Sequence, residues 1–505
     1  MGYTADIPNS TEDFFSSFKK DLARPDRLNF LASELIGRDA EILGPFGAKP
    51  LIYADYVASG RALALVERFV IDKILPFYAN SHTEASFCGG LMTRFRRAAR
   101  AAIAECCNAD SRYAVIFSGS GATAGLNRLV SLFGIREHVT HGVVPRVIIG
   151  PYEHHSNILP WRESGAEIVE IAEAATSGPD LDQLDAALTI ADDRPVLCAF
   201  SAASNVTGIV SDAAGITRIA KAKNAKIVWD YAGAGPYLPI NMQLANDAAI
   251  DAVVISPHKF IGGPAASGIL IVRKDAVVTE KPTWPGGGTV KFVTPTAQDY
   301  SDSLEVREES GTPNVVGDIR AALAFLVKEA IGIDTMTKRN AYLRARALAA
   351  WGVSERIELL GHRQAESLPI FSFRIRDGKG GYIHQQLITR MLSDRFGIQA
   401  RGGCACAGPY VHRLLRIDED ESADLRRAIA EGDEIRKPGF VRLNFSVLLS
   451  DDKADYILNS VIQLAQDAAA YVHHYDVDPR RAIFHPKSEL SQSDHALSKT
   501  IWARG

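Results

Sequence analysis

Cysteine is scarce in this sequence, with six thiols among 505 residues. That is too few for a disulfide scaffold, and the close pairs Cys106–Cys107 and Cys404/Cys406 are poor disulfide partners for each other. The count fits a reducing, cytoplasmic compartment. No run of about 18 apolar residues occurs, so no segment is expected to span a membrane. The amino terminus, MGYTADIPNS, has no basic stretch followed by an apolar one, and no signal peptide is expected. Asp6 also breaks the myristoylation pattern. An excess of one charge is missing too. A net charge of −4 gives no reason to expect nucleic acid or an anionic membrane as a partner. Arg94, Arg96, Arg97 and Arg100 form a local basic cluster whose helical spacing reads as a solvated face or subunit contact. Repeats of fixed period and low-complexity tracts are absent.

What is present is a rhythm of short apolar runs and helical stretches from about 110 to 275. The runs are Ala114–Phe117, Arg146–Ile149, Glu167–Ile171, Val196–Phe200, Lys226–Trp229, Ala252–Ser256 and Gly268–Val272. They are short, β-branched and mostly unalternated, as strands covered on both faces should be. Helical patterns such as Thr123–Phe133 and Ala213–Ala222 lie between them. The expected architecture is α/β with a mainly parallel, seven-stranded sheet, followed by a smaller α+β domain. The expected division is an N-terminal segment 1–50, a large domain 51–315, a small C-terminal domain 316–472 and a tail 473–505. The tail reads as a mobile end or an arm packed on a partner.

Ligands of such sheets sit at the carboxyl ends of the strands, and the chemically informative residues fall there. VVISPHKFIGGPAASGIL (253–270) places Lys259 just after a buried strand, where desolvation lowers an amine's pKa and favours attack on an aldehyde. Ser256 and His258 beside it can donate to a phosphate. Asp230 closes the strand before YAGAG, and a buried carboxylate there needs a cation such as a protonated pyridine. Gly119, Gly121 and Thr123 in FSGSGATAGLNRL (117–129) offer a bare turn and a hydroxyl to an anion at a helix start. This segment is neither a nucleotide phosphate loop nor a dinucleotide fingerprint. His154 in EHHSNILPW can stack on a flat ring, and Asn205 in SNVTG can hydrogen-bond a phenolate oxygen. Each residue alone has an ordinary structural reading as a turn, cap or core residue. Five strand ends offering such residues together point to pyridoxal 5′-phosphate (PLP).

Over roughly residues 50–470 the ordered segments YADYVASG, YANSH, SGATAGLN, EHHSN, SNVTG, WDYAGA, SPHKF, PGGGT, ESGTPN, ARGGCACAG and VRLNFS resemble the class V aminotransferase family, and within it the cysteine desulfurases. The resemblance implies PLP-dependent transferase fold type I. It implies that Lys259 links covalently to the cofactor, Asp230 pairs with its ring nitrogen, His154 stacks on the ring and Asn205 lies near the ring hydroxyl. Gly121, Ala122, Thr123, Ser256 and His258 would hold the phosphate. Thr312 would reach the phosphate of a neighbouring subunit, in a homodimer with shared active sites. Arg442 is similar to the arginine that clamps the substrate carboxylate, a task suited to a bidentate fork.

ARGGCACAGPYVHRLL (400–415) sets two cysteines in a small-residue loop beside Arg401, whose charge favours a thiolate and which the resemblance adds to the substrate site. In the desulfurases the sulfur-accepting cysteine lies about five positions after the matching arginine, which selects Cys406 over Cys404. Molybdenum-cofactor sulfurases share the Cys-X-Cys pattern. The implied reaction removes sulfur from L-cysteine as a persulfide on Cys406, releases alanine, and hands the sulfur to an acceptor protein. Lys259 would move the α-proton and His154 would shuttle one. Cys404, Cys406 and His412 lack a fourth ligand, so no metal is expected. Gly233 stands where desulfurases have Gln, and Tyr231 is bulkier than the small residue they carry there. The charged interval 407–441 reads as a solvated loop, with a lid or acceptor-binding insert as the other reading. Two alternatives remain. One is another class V reaction on an amino acid: transamination, epimerisation, β-elimination or selenocysteine cleavage. The other is a non-catalytic scaffold, against which the joint presence of Lys259, Asp230 and Arg442 argues.

Overall fold

The structure is a computed structural model that describes residues 12–81, 84–189, 194–244 and 248–487. The amino-terminal residues read for targeting signals, His82 of YANSH and the tail beyond 487 lie outside it. The described residues form two compact units. The first comprises 12–36, 58–204 and 210–337; the second comprises 37–57, 205–209 and the chain from 338 onward.

The first unit is built on a seven-stranded sheet: β1 (Tyr113–Phe117), β2 (Arg146–Ile149), β3 (Glu167–Glu170), β4 (Val196–Ser201), β5 (Lys226–Asp230), β6 (Ala252–Ile255) and β7 (Ile269–Arg273). The spatial order is β1-β7-β6-β5-β4-β2-β3. Only β7 is antiparallel, to β6 and β1, and all other pairings are parallel. The seven apolar runs of the sequence therefore became the seven strands. β1, β2, β6 and most of β4 and β5 are buried along their length, which explains their unalternated sequences. With β1, β2, β4, β5 and β6 running the same way, the segments that follow them emerge at one edge of the sheet.

The basic cluster lies on helix α1 (Phe87–Cys106) and is not simply a solvated face. Arg97 is exposed and pairs with Glu84. Arg96 and Arg100 turn inward onto Glu309, at 2.6 and 2.8 Å, and Arg96 also meets Asp318 at 2.8 Å. Glu309 in turn accepts the backbone N–H of Phe117 at the end of β1. Burial raises the Glu309 carboxyl, but Arg100 and Arg96 more than offset it and hold the group below its usual range. The acidic partners of Arg96 and Arg100 lie more than 200 residues away in sequence, so helical spacing alone could not show the burial.

The second unit centres on a sheet of β8 (Ile357–Leu359), β9 (Ile370–Arg376), β10 (Tyr382–Ile383), β11 (Arg401–Gly403) and β12 (Phe440–Asn444), ordered β8-β9-β12-β11 with β10 on β9. Its core includes Phe373, Ile388, Leu392, Leu443 and Leu464. Residues Ile52–Tyr53 pair in parallel with Ile398–Gln399, which ties the early segment 37–57 into this unit. The interval 407–441 is not the loop expected from its charge. It folds into helices α2 (Gly408–Leu415) and α3 (Glu419–Ala430) and a short turn of 3₁₀ helix at Glu434–Arg436. The acidic run opens α3: Asp418 caps it by accepting the N–H of Glu421 at 2.9 Å, and Glu419, Asp420 and Glu421 occupy the first turn, where the helix dipole favours them. The start of the tail is a hairpin, Tyr475–Asp478 against Ile483–Pro486. Among the described residues no helix is long and apolar enough to cross a membrane.

Candidate functional site

The first unit gathers eight of the residues singled out in the sequence. Helix α4 (Ala122–Leu132) starts directly after the turn that leaves β1. Ala122 N donates to Ser256 Oγ at 3.0 Å, which fastens that helix start to the segment after β6. Gly121 has φ +107°, and a Cβ there would come within 2.9 Å of Ser256 Oγ and 3.1 Å of the His258 ring. The backbone at 121 must stay bare, which leaves an N–H-lined concavity beside a hydroxyl and an imidazole. Burial and the neighbouring Lys259 charge push His258 down to about 4, so its ring is neutral at pH 7. Thr123 Oγ1 and Ser156 Oγ are 2.7 Å apart, and Ser156 Oγ is 3.1 Å from His154 Nδ1. The Ser156 N–H donates to that same nitrogen, which fixes the ring.

Asp230 ends β5 and is only 4% exposed. Its Oδ1 accepts the Ala232 N–H at 2.7 Å. Burial raises its carboxyl above the ordinary range, against the pull of that hydrogen bond and of the Lys259 charge. This arrangement fits the ring of PLP: a buried acid raised by desolvation is stabilised by a cationic nitrogen brought against it. Lys259 closes the turn Pro257–Lys259 after β6, in register beside β5. Thr312 is exposed in the turn 310–314, and among the described residues no hydrogen bond links it to this group.

A second carboxylate, not singled out in the sequence, lies behind this edge. Glu153 is buried, accepts Ser201 N and Oγ at 2.8 and 2.7 Å, and accepts Asn157 Nδ2 at 2.6 Å. Burial lifts it to about 7, and the charge of Asp230 adds to the rise against those donors. Ser201 and Asp230 are register partners on β4 and β5, so Glu153 braces the strand that flanks Asp230. The only signal in the sequence was an acid four positions after an apolar strand.

The second unit gathers Asn205, Arg401, Arg442 and the two cysteines of the loop. Arg401 on β11 and Arg442 on β12 are cross-strand partners. Asp55 bridges them: Arg401 Nε donates to Oδ2 at 3.0 Å and Arg442 Nη2 to Oδ1 at 2.9 Å. Arg442 also donates to the Asn205 carbonyl at 3.1 Å. Asn205 Nδ2 donates to the Ala405 carbonyl at 2.8 Å, while its Oδ1 is buried without a partner among the described residues. Arginines and cysteine loop are thus joined through Asn205. Cys404 is half-buried and Cys406 is exposed. Ala405 and Cys406 have φ +51° and +54°, a conformation non-glycine residues rarely adopt, which turns the Cys406 segment outward. His412 is engaged elsewhere, with the Gly408 carbonyl and Ser422 Oγ. Among the described residues no cluster of three His, Cys, Asp or Glu side chains is set to hold a metal.

The chain is similar to known proteins. The chain is 30% identical over 373 residues to a cysteine desulfurase of Enterobacter sp. (strain 638), covering 72% of this chain and 86% of that protein. It is 29% identical over 367 residues to a cysteine desulfurase of Klebsiella pneumoniae, with the same coverage. The solved cysteine desulfurase of Thermococcus onnurineus NA1 superposes with a TM-score of 0.68 at 22% identity, over 82% of this chain and 95% of that one. A cysteine desulfurase of Escherichia coli gives 0.68 at 20% identity, over 87% and 98%. These likenesses establish PLP-dependent transferase fold type I. A family model described as aminotransferase class-V matches residues 52–428, and the chain belongs to that family.

Proposed function

We propose that this enzyme is a PLP-dependent cysteine desulfurase that takes sulfur from L-cysteine as a persulfide on Cys406 and releases alanine. The observation that carries the reading is buried Asp230 at the end of β5, with Lys259 closing the turn after the neighbouring strand β6. Cysteine desulfurases at 29 and 30% identity support the choice of reaction.

PLP, when bound, supplies the electron sink for a carbanion at the substrate α-carbon. Gly121, Ala122, Thr123, Ser256 and His258 would hold its phosphate, Asp230 would face its ring nitrogen, His154 its ring and Asn205 its ring hydroxyl. Thr312 would reach the phosphate of a second subunit in a homodimer. Arg442, aided by Arg401, orients the substrate carboxylate. The Lys259 amine takes the α-proton, and His154 passes a proton to or from the substrate. The Cys406 thiolate attacks the substrate sulfur; an S–S bond forms as the C–S bond breaks, and the electron pair of the broken bond remains with the three-carbon fragment that becomes alanine. The sulfane sulfur then leaves to an acceptor thiol, of a protein or a small molecule. Six free thiols suit the reducing interior of the cytoplasm.

Replacing Cys406 by Ser tests the reading. Persulfide on the protein, read by mass spectrometry, should vanish, and alanine formation should fall by about 10²-fold or more while PLP stays bound. Undiminished alanine formation would sink the mechanism. Cys404→Ser should leave both signals in place.

A further inference from the structure

Two arginines beside one substrate carboxylate pose a charge problem. A dication recruits a dianion, yet cysteine offers only one carboxylate and an uncharged side chain. Asp55 answers it within the second unit. Its two oxygens are divided between the guanidinium groups, at 3.0 Å from Arg401 Nε and 2.9 Å from Arg442 Nη2. Its place is fixed by backbone on both sides. Asn444 N donates to the Ala54 carbonyl at 2.9 Å, Ala54 N donates to the Gln399 carbonyl at 3.0 Å, and Val57 N donates to Asn444 Oδ1 at 3.1 Å. The backbone that carries Asp55 is therefore held by three hydrogen bonds of its neighbours. The three side chains together carry one net positive charge, two cations less one anion. Arg442 is nearly buried, with its side chain 5% exposed, whereas Arg401 is half exposed at 52%. A second, uncancelled charge beside the buried Arg442 would act on any anion that entered.

We propose that Asp55 determines substrate specificity by charge: it cancels one of the two arginine charges, so that the cluster takes a single carboxylate and turns away amino acids carrying a second anionic group. The proposal rests on the functional reading above only in taking Arg442 as the place of the substrate carboxylate. A purely structural Asp55 would merely orient the arginines, and its loss would weaken all carboxylates alike.

The test is calorimetric titration of the PLP-loaded protein with propionate and with succinate, which needs no turnover. In Asp55→Asn the succinate Kd should fall by roughly 10-fold or more beyond any fall in the propionate Kd, relative to the parent protein. Asp55→Glu, which keeps the charge, should retain the parent preference. Arg401→Gln with Asp55 intact brings the cluster to zero charge and should weaken propionate by roughly 10-fold; this variant decides the matter if Asp55→Asn does not fold. Equal weakening of both ligands in Asp55→Asn overturns the proposal. So does a shift in Asp55→Glu equal to that in Asp55→Asn, or an unchanged propionate Kd in Arg401→Gln. A protein that shows the expected selectivity but makes neither persulfide nor alanine from cysteine would refute the desulfurase reading and leave the role of Asp55 standing.

Discussion

The two groups of site residues are held in opposite ways. In the first unit Asp230, Ser256 and Lys259 sit at or just beyond the ends of buried parallel strands, and burial sets their electrostatics: Asp230 and Glu153 are pushed up and His258 down. In the second unit, Asp55, Arg401 and Arg442 compensate one another by direct ion pairing, and Cys406 rides on an exposed turn with left-handed backbone. The first arrangement suits a resident group that never needs to leave. The second suits a substrate that enters and a sulfur that must be carried out. Burial tunes charge in the first group, and direct pairing tunes it in the second.

The largest expected break in this comparison is Lys259→Ala. It should lower turnover by about 10³-fold or more and abolish the covalent link to the cofactor, read by borohydride trapping and mass spectrometry, with the fold unchanged by circular dichroism. Next is Glu309→Gln, which leaves Arg96 and Arg100 facing a neutral amide in a buried position. A loss of about 3 kcal/mol in urea unfolding is expected; a loss below about 1 kcal/mol would place the network among surface pairs. The pH response sharpens the contrast. The His258 ring is kept neutral down to about pH 4 in the folded protein, whereas in the unfolded chain it protonates below about 6.5. The unfolded state then binds the extra proton, so stability falls as pH drops from 6.5 to 4. In the cofactor-free protein His258→Gln should remove roughly 2 kcal/mol of that fall, allowing for the ring's partial exposure. Smallest is Asp418→Ala, which should cost about 1 kcal/mol by removing the cap of the acidic helix, measured by thermal unfolding.

The sheet was legible because strands covered on both faces must be apolar throughout, and seven such runs stand out between helical patterns. Lys259 and Asp230 were legible for a related reason: a charge placed directly after such a run is costly and invites a partner. Asp55 obeys the same rule after LIYA, but its partners Arg401 and Arg442 lie almost 350 and 390 positions away, and nothing local marks them. The burial of Arg96 and Arg100 was hidden for the same cause. The interval 407–441 failed differently. Its start signal was present, since Asp418 followed by three acids is a good helix opening, but the charge density read as solvent-exposed loop. Glu153 has no local mark of burial, since its partners Ser201 and Asn157 come from another strand and from the turn that follows it.

The pairing of Ile52–Tyr53 with Ile398–Gln399 has a consequence for how the chain is made. At about 5–20 residues per second, a ribosome needs roughly 20 to 70 s to deliver the partner of a strand already synthesised. For that interval the 37–57 stretch, Asp55 included, lacks its companions, and the strands of the first unit are all synthesised before it ends. A chaperone that holds this stretch, or a pause that hastens nothing upstream of 398, would change yield without touching the finished enzyme. The carboxylate selector is therefore among the first parts translated and among the last assembled.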